Sequence, residues 1–203
     1  MNLLPTQEEV IELLRETGSL RTGHFLYPDG TYTNEYLQVA LAMSDYKNAK
    51  MLSVALSRKI RANTELRAMI PRLSLVAPAT GGLPVAYGMV EALGAQRVYW
   101  AEEDIERQPQ RFRQFVEPRE GDKILLVDDI FRTGRKLKAL KALVESYGAE
   151  VVGIAVMVYQ PWPNAPSFDP LPFFYLAKLG SFAATEVPAE LLKDETQITK
   201  VLV

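Results

Sequence analysis

Residues 123–140 read KILLVDDIFRTGRKLKAL. Apolar residues run straight into two adjacent carboxylates, Asp128 and Asp129, and the Thr133–Gly134 turn then opens a helical pattern rich in cations. Carboxylates so placed accept hydrogen bonds from a ligand with two hydroxyls, or help to hold a divalent cation through that ligand. Neighbouring side chains of an extended segment point to opposite sides, so the pair does not resemble two acids sharing one proton. A glycine at the start of a helix leaves backbone amides free, and these amides together with the helix dipole attract a phosphate. Arg132, Thr133, Arg135 and Lys136 add charge and a hydroxyl. The stretch offers carboxylates for sugar hydroxyls beside a cradle for a phosphate, which is what a ribose 5-phosphate group requires.

A blander reading competes with this one. Asp after a strand is a common cap, and a basic helix face is usually only solvated, so the motif alone leaves the two readings evenly matched. The stretch is neither a Walker A loop nor a dinucleotide fingerprint, since both glycine patterns are absent.

Such a site needs a scaffold, and the chain alternates helical and strand patterns. Thr6 and Glu9 have the spacing of a capping box, and Val10, Ile11, Leu13 and Leu14 follow at helical spacing, with a stop near Gly18. Pro-Asp-Gly at 28–30, between aromatic runs, predicts a hairpin-like excursion. A helix is expected over 45–61, a strand over Leu73–Ala77, a helix over Leu83–Leu93 and a strand over 97–102. Residues 103–121 read as a charged loop with a short edge segment. A strand at Ile124–Val127, a helix at Thr133–Tyr147 and an almost continuously apolar strand at Val151–Tyr159 follow, with one more strand near 174–179 after a proline-rich stretch. Strands apolar on both faces belong to parallel sheets between helices. The expected fold is α/β, a doubly wound and mostly parallel sheet flanked by helices, with a small N-terminal hood.

Composition narrows the class. A chain of 203 residues defaults to a single domain able to bury a real core. Its 48% hydrophobic and 24% charged residues are those of an ordinary soluble globular protein. A net charge of −2 gives no bulk attraction to nucleic acid or membrane. The lack of cysteine excludes disulfides and thiolate metal sites and suits a reducing cytoplasm. MNLLPTQEEV lacks the basic start and long apolar run of a signal peptide, and no apolar stretch approaches membrane-spanning length.

Four stretches carry a family resemblance. ILLVDDIFRTGRKL resembles the phosphoribosyl pyrophosphate (PRPP) signature of type I phosphoribosyltransferases. GSLRTGHFLYPDGTYTNEYLQVALAM (18–43) looks like the hood of bacterial orotate phosphoribosyltransferases, LVAPATGGLPVAYGMVEALG (75–94) like the pyrophosphate loop and its helix, and residues 98–129 like the strand, flexible catalytic loop and return strand. The similarity covers most of residues 10–160 and implies one domain, with a hood at about 18–43, a core at about 44–160 and a C-terminal extension at 161–203.

The resemblance also implies roles. Asp128 and Asp129 would bind the ribose hydroxyls. Arg132, Thr133, Gly134, Arg135 and Lys136 would bind the 5-phosphate. Ala79, Thr80, Gly81 and Gly82 would present amides to pyrophosphate. Phe25 and Tyr36 would lie near the base. Mg²⁺ would ride on substrate oxygens near Asp128 and Asp129, with no direct protein site. The implied reaction is displacement of pyrophosphate by an orotate nitrogen, giving orotidine 5′-monophosphate, in a cytoplasmic homodimer with no membrane or nucleic-acid partner. The alternative is a non-catalytic PRPP- or nucleotide-binding regulator.

Several residues depart from the family pattern. Arg132 and Lys136 replace a small residue and a hydroxyl, Glu103 and Asp104 follow where an arginine is usual, and Pro28 and Asp29 replace Lys/Ser-Ser. No lysine lies between Lys59 and Lys123, so Arg107, Arg111 and Arg113 are the expected catalytic-loop cations. The sole histidine, His24, has no partner motif and is assigned no chemistry.

Overall fold

The computed structural model describes residues 5–104, 106, 108–181, 186–188, 191 and 195–201. The first helix, α1 (Gln7–Glu16), begins with the capping box: Glu9 N–H donates to Thr6 Oγ1 at 3.2 Å, and Thr6 N–H donates to Glu9 Oε2 at 2.7 Å. Its buried Val10 and Leu14 are four residues apart, hence on one face. The antiparallel hairpin of β1 (Leu20–Leu26) and β2 (Tyr32–Leu37) turns at Pro-Asp-Gly, where Gly30 has φ +84° and Thr31 N–H donates to Asp29 Oδ1. Helices α2 (Val39–Met43), α3 (Tyr46–Ala62) and α4 (Thr64–Met69) follow. Asp45 and Asn63 cap the latter two through Asn48 and Leu66 amides.

The core continues as β3 (Leu73–Pro78), α5 (Gly82–Leu93), β4 (Arg97–Glu103), β5 (Pro109–Phe112), β6 (Lys123–Phe131), α6 (Arg135–Ser146), β7 (Glu150–Tyr159) and β8 (Phe173–Lys178). Among the described residues one sheet has the order β5-β4-β3-β6-β7-β8, parallel throughout except for the edge strand β5. Alternation along its strands feeds two cores. Leu75, Ala77, Leu125 and Val127 meet Leu52, Leu56 and Ile60 of α3 and Val85 and Met89 of α5. Val76, Ile124 and Leu126 meet Leu137, Leu140 and Val144 of α6. Each such aliphatic side chain contributes about 1.5–3 kcal/mol when fully buried. The doubly wound sheet is therefore as the apolar runs foretell.

Three features differ from the sequence reading. Strand β6 continues past Val127 to Phe131 because its backbone keeps pairing with β7 as far as Phe131 opposite Tyr159. Helix α6 starts at Arg135 rather than Thr133, since Gly134 has φ +69° and cannot be helical. A strand β9 (Thr199–Lys200), from the C-terminal extension, lies parallel to β1 in the hood sheet. Among the described residues no helix is long and apolar enough to cross a membrane.

Candidate active site

The sheet order sets the position of the site. Strand β3 pairs with β6 only over Leu73–Val76 against Lys123–Leu126. Beyond that, β3 stays with β4 up to Pro78 opposite Ala101, while β6 stays with β7. The connections run to opposite sides of β3, so the crevice beyond these carboxyl ends is the switch point where open α/β sheets bind ligands. A cavity of about 1280 Å³ lies there.

Asp128 is 5% exposed, and its Oδ1 accepts the Asp129 N–H at 2.9 Å. Asp129 is half-buried, and its Oδ1 accepts the Ile130 N–H at 2.8 Å. Burial raises both carboxyl pKa values above the ordinary range, and the charge of Asp129 raises that of Asp128 further. The charge of Asp129 thus acts on Asp128 although neighbouring side chains of a strand turn to opposite faces. Lys136 and, for Asp129, Arg132 act in the opposite direction by favouring the charged forms.

The turn at 79–82 is packed against these acids. A Cβ on Gly81 would lie 3.0 Å from Asp129 Oδ2. One on Gly82 would lie 2.9 Å from Pro78 Cδ and 3.3 Å from Asp128 Oδ1. Both glycines are required by close approach rather than by a plain turn. Ala79, Thr80 and Gly81 line the cavity, and Gly82 is buried at the start of α5.

Arg132, Thr133, Gly134, Arg135 and Lys136 also line it. A Cβ on Gly134 would meet Pro166 Cγ at 2.8 Å, so the proline-rich stretch is packed directly on the turn. Arg132 reaches the hood: its Nη1 donates to Tyr27 Oη at 3.1 Å, and its Nε donates to Gln160 Oε1 at 3.3 Å. Lys136 Nζ donates to Glu103 Oε1 at 2.7 Å. Two of the positions that depart from the family pattern, Glu103 and Lys136, thus neutralise each other.

Other expected site residues separate. Tyr36 lines the cavity, and burial raises its hydroxyl pKa. Phe25 is 6% exposed, stacked on Tyr36 with ring centroids 5.3 Å apart, and is not in the cavity wall. Arg111 and Arg113 are exposed and both donate from Nε to Glu102, at 3.2 and 2.5 Å. Their hydrogen bonds, Arg113's first, lower the Glu102 carboxyl pKa from its ordinary value, and their charges add to this. Neither arginine lines the cavity. Arg107 lies outside the described residues. His24 Nδ1 is hydrogen-bonded to Tyr32 Oη and the rings stack, a hood-internal contact.

Sequence reasoning missed Tyr27, Glu102, Gln108 and Val201 as wall residues. Tyr27 sits directly before the Pro-Asp-Gly turn, which was a usable signal. Val201 had none, because it arrives only through the pairing of β9 with β1.

The model of the phosphoribosyl transferase domain matches residues 44–167, more than half of the chain. The chain belongs to the phosphoribosyltransferase family. An orotate phosphoribosyltransferase of Novosphingobium aromaticivorans is 31% identical over 194 residues, covering 93% of this chain and 94% of that protein. One of Carboxydothermus hydrogenoformans is 33% identical over 150 residues, covering 74% of each chain. The crystal structure of orotate phosphoribosyltransferase from Aeropyrum pernix superposes with a TM-score of 0.66 at 17% identity, covering 84% of this chain and 93% of that one, a likeness of fold. This phosphoribosyltransferase therefore has the sheet, and the family, that the motif at 123–136 led us to expect.

Proposed function

We propose that the protein is an orotate phosphoribosyltransferase, transferring the 5-phosphoribosyl group of PRPP to orotate with release of pyrophosphate. The observation that carries the reading is the packing of Gly81 and Gly82 onto Asp129 and Asp128, beside the Gly134 turn. Sugar-binding acids, a pyrophosphate loop and a phosphate turn then meet in one cavity. The naming of relatives more than 30% identical as orotate phosphoribosyltransferases supports orotate as the base.

Each residue group has a part. Asp128 and Asp129 accept hydrogen bonds from the ribose hydroxyls and favour positive charge developing on the ribose ring. The amides of Ala79–Gly82 receive the pyrophosphate, with Gly81 and Gly82 packed against Asp129 and Asp128. Arg135 and Lys136 hold the 5-phosphate with the amides of the turn. Tyr36 walls the base side of the cavity. As the C1–O bond breaks, its electron pair leaves with pyrophosphate, and an orotate nitrogen forms the new bond to C1. Positioning and charge supply the catalysis.

Among the described residues no three His, Cys, Asp or Glu side chains are grouped to hold a metal. Asp128 and Asp129 would help to hold a Mg²⁺ through the ribose and diphosphate oxygens of the substrate rather than as a protein metal site. When bound, that ion neutralises charge on the leaving diphosphate. Arg111 and Arg113, which pair with Glu102 and lie outside the cavity wall, are the described cations next after β4 in sequence that could turn toward a bound diphosphate, and the enzyme acts in the cytoplasm as a homodimer. No observation favours the non-catalytic regulator.

Pyrophosphate release from PRPP, measured with orotate, adenine or guanine in turn, tests the base. Release dependent on orotate supports the reading. Release with a purine and not with orotate overturns it.

A further inference from the structure

Glu103 and Lys136 reach each other from opposite sides of β3. Glu103 ends β4, Lys136 is the second residue of α6 after β6, and β3 lies between those strands. Adjacent strands are about 4.8 Å apart, so their ion pair spans roughly two strand spacings. It therefore crosses the carboxyl end of β3, where Thr80 and Gly81 line the same cavity. The Glu103 side chain is 14% exposed and that of Lys136 is 37% exposed, so this is not a fully solvated surface pair. The neighbouring acid Glu102 has Arg111 and Arg113 as partners, and among the described residues Lys136 is the cation paired with Glu103.

A diphosphate entering over β3 carries what Glu103 carries, negatively charged oxygen, and in larger amount. Lysine has a flexible four-carbon stem, so its ammonium group moves between two anions without any backbone change. We propose that Glu103 is a stand-in anion that parks Lys136 across the 79–82 turn and yields it to the substrate's diphosphate. Lys136 thereby becomes the leaving-group cation that the loop lacks as lysine, and Glu103 sets how strongly an anion must bind to claim it. This rests on the reading of residues 79–82 as the pyrophosphate loop. It moves Lys136 from the 5-phosphate to the leaving group.

The test is calorimetric titration with inorganic pyrophosphate and with PRPP. It uses the wild type, Glu103→Gln, Lys136→Met, Lys136→Arg and the Glu103→Gln/Lys136→Met double variant. Glu103→Gln is expected to tighten pyrophosphate binding about tenfold, and Lys136→Met to weaken it about tenfold, with Lys136→Arg restoring most of the loss. The gain from Glu103→Gln should vanish in the Lys136→Met background, because its only route is the released lysine. Unchanged or weaker binding by Glu103→Gln overturns the proposal. So does an equal gain with and without Lys136, which is mere relief of repulsion. An Asp128→Asn/Asp129→Asn variant titrated alongside separates the two readings: if it binds PRPP as tightly as the wild type, the underlying site is contradicted instead, and a lack of pyrophosphate binding by every protein, wild type included, overturns both.

Discussion

The carboxylate of Asp129 fills the space that a side chain at Gly81 would need, with Oδ2 3.0 Å from the position of a Cβ there. Asp129 and the 79–82 turn are therefore one packed unit, although 48 positions separate Gly81 from Asp129 in the chain (129 − 81). Gly81→Ala should push Asp129 off its present position. PRPP affinity is expected to fall at least about tenfold, while Tm changes little, since the atom displaced is the end of a side chain.

Gly82→Ala should behave differently. Its Cβ would strike Pro78 Cδ at 2.9 Å and Ala77 Cβ at 3.0 Å, both anchored in β3. Overpacking of this kind costs about 1–3 kcal/mol. Thermal unfolding should show Tm several degrees lower, and an unchanged Tm would mean that the strand end yields easily.

Asp128→Asn should stabilise the protein at neutral pH while removing PRPP binding. Burial raises the folded-state pKa of Asp128 above the ordinary 3.8. The folded protein therefore holds this proton more tightly than the unfolded chain does. The stability it contributes is fully present below pH 3.8 and is lost as pH rises through the folded value. Above that value the buried charge costs stability, and asparagine removes it, a gain on the order of 1 kcal/mol. Tm measured against pH should show the variant's advantage at pH 7.5 shrinking toward pH 4. A less stable variant at pH 7.5 would contradict this.

Gly134→Ala meets three obstacles, a φ of +69°, Pro166 Cγ at 2.8 Å and Phe131 Cζ at 3.0 Å. The backbone part alone costs about 1–2 kcal/mol. Pairing it with Pro166→Ala should recover the clash with Pro166 and leave the backbone and Phe131 parts, so denaturant midpoints of the two single variants and the double variant should be non-additive.

Arg132 links the 132–136 turn to the hood through Tyr27 and to the residue just after β7 through Gln160, which is 2% exposed. Tyr27→Phe removes one hydrogen bond, worth about 0.5–1.5 kcal/mol, and should weaken PRPP binding only a few-fold. Arg132→Ala should weaken it by more, and equal losses would show that Arg132 acts solely through the hood.

The sheet was legible because Ile124–Val127 and Val151–Tyr159 are apolar on both faces, a pattern that only a covered parallel sheet explains. The acids and the Gly134 turn were legible because local chemistry defines them. The contact of Gly81 with Asp129 was not, since it depends on β3 and β6 parting after Val76. Nor was the Glu103–Lys136 pair: each residue read singly is a departure from its family, and only the sheet order brings the two charges together. Arg111 and Arg113 stood out as cations, but their nearest anion, Glu102, decides where they sit.

The most direct measurement is orotate consumption, followed by absorbance, with PRPP and Mg²⁺, for the wild type and the Asp128→Asn/Asp129→Asn variant. A ribose site at these acids predicts steady turnover by the wild type and a loss of about 10³-fold or more in the variant, whose melting transition remains cooperative. Turnover by the variant at the wild-type rate would contradict it.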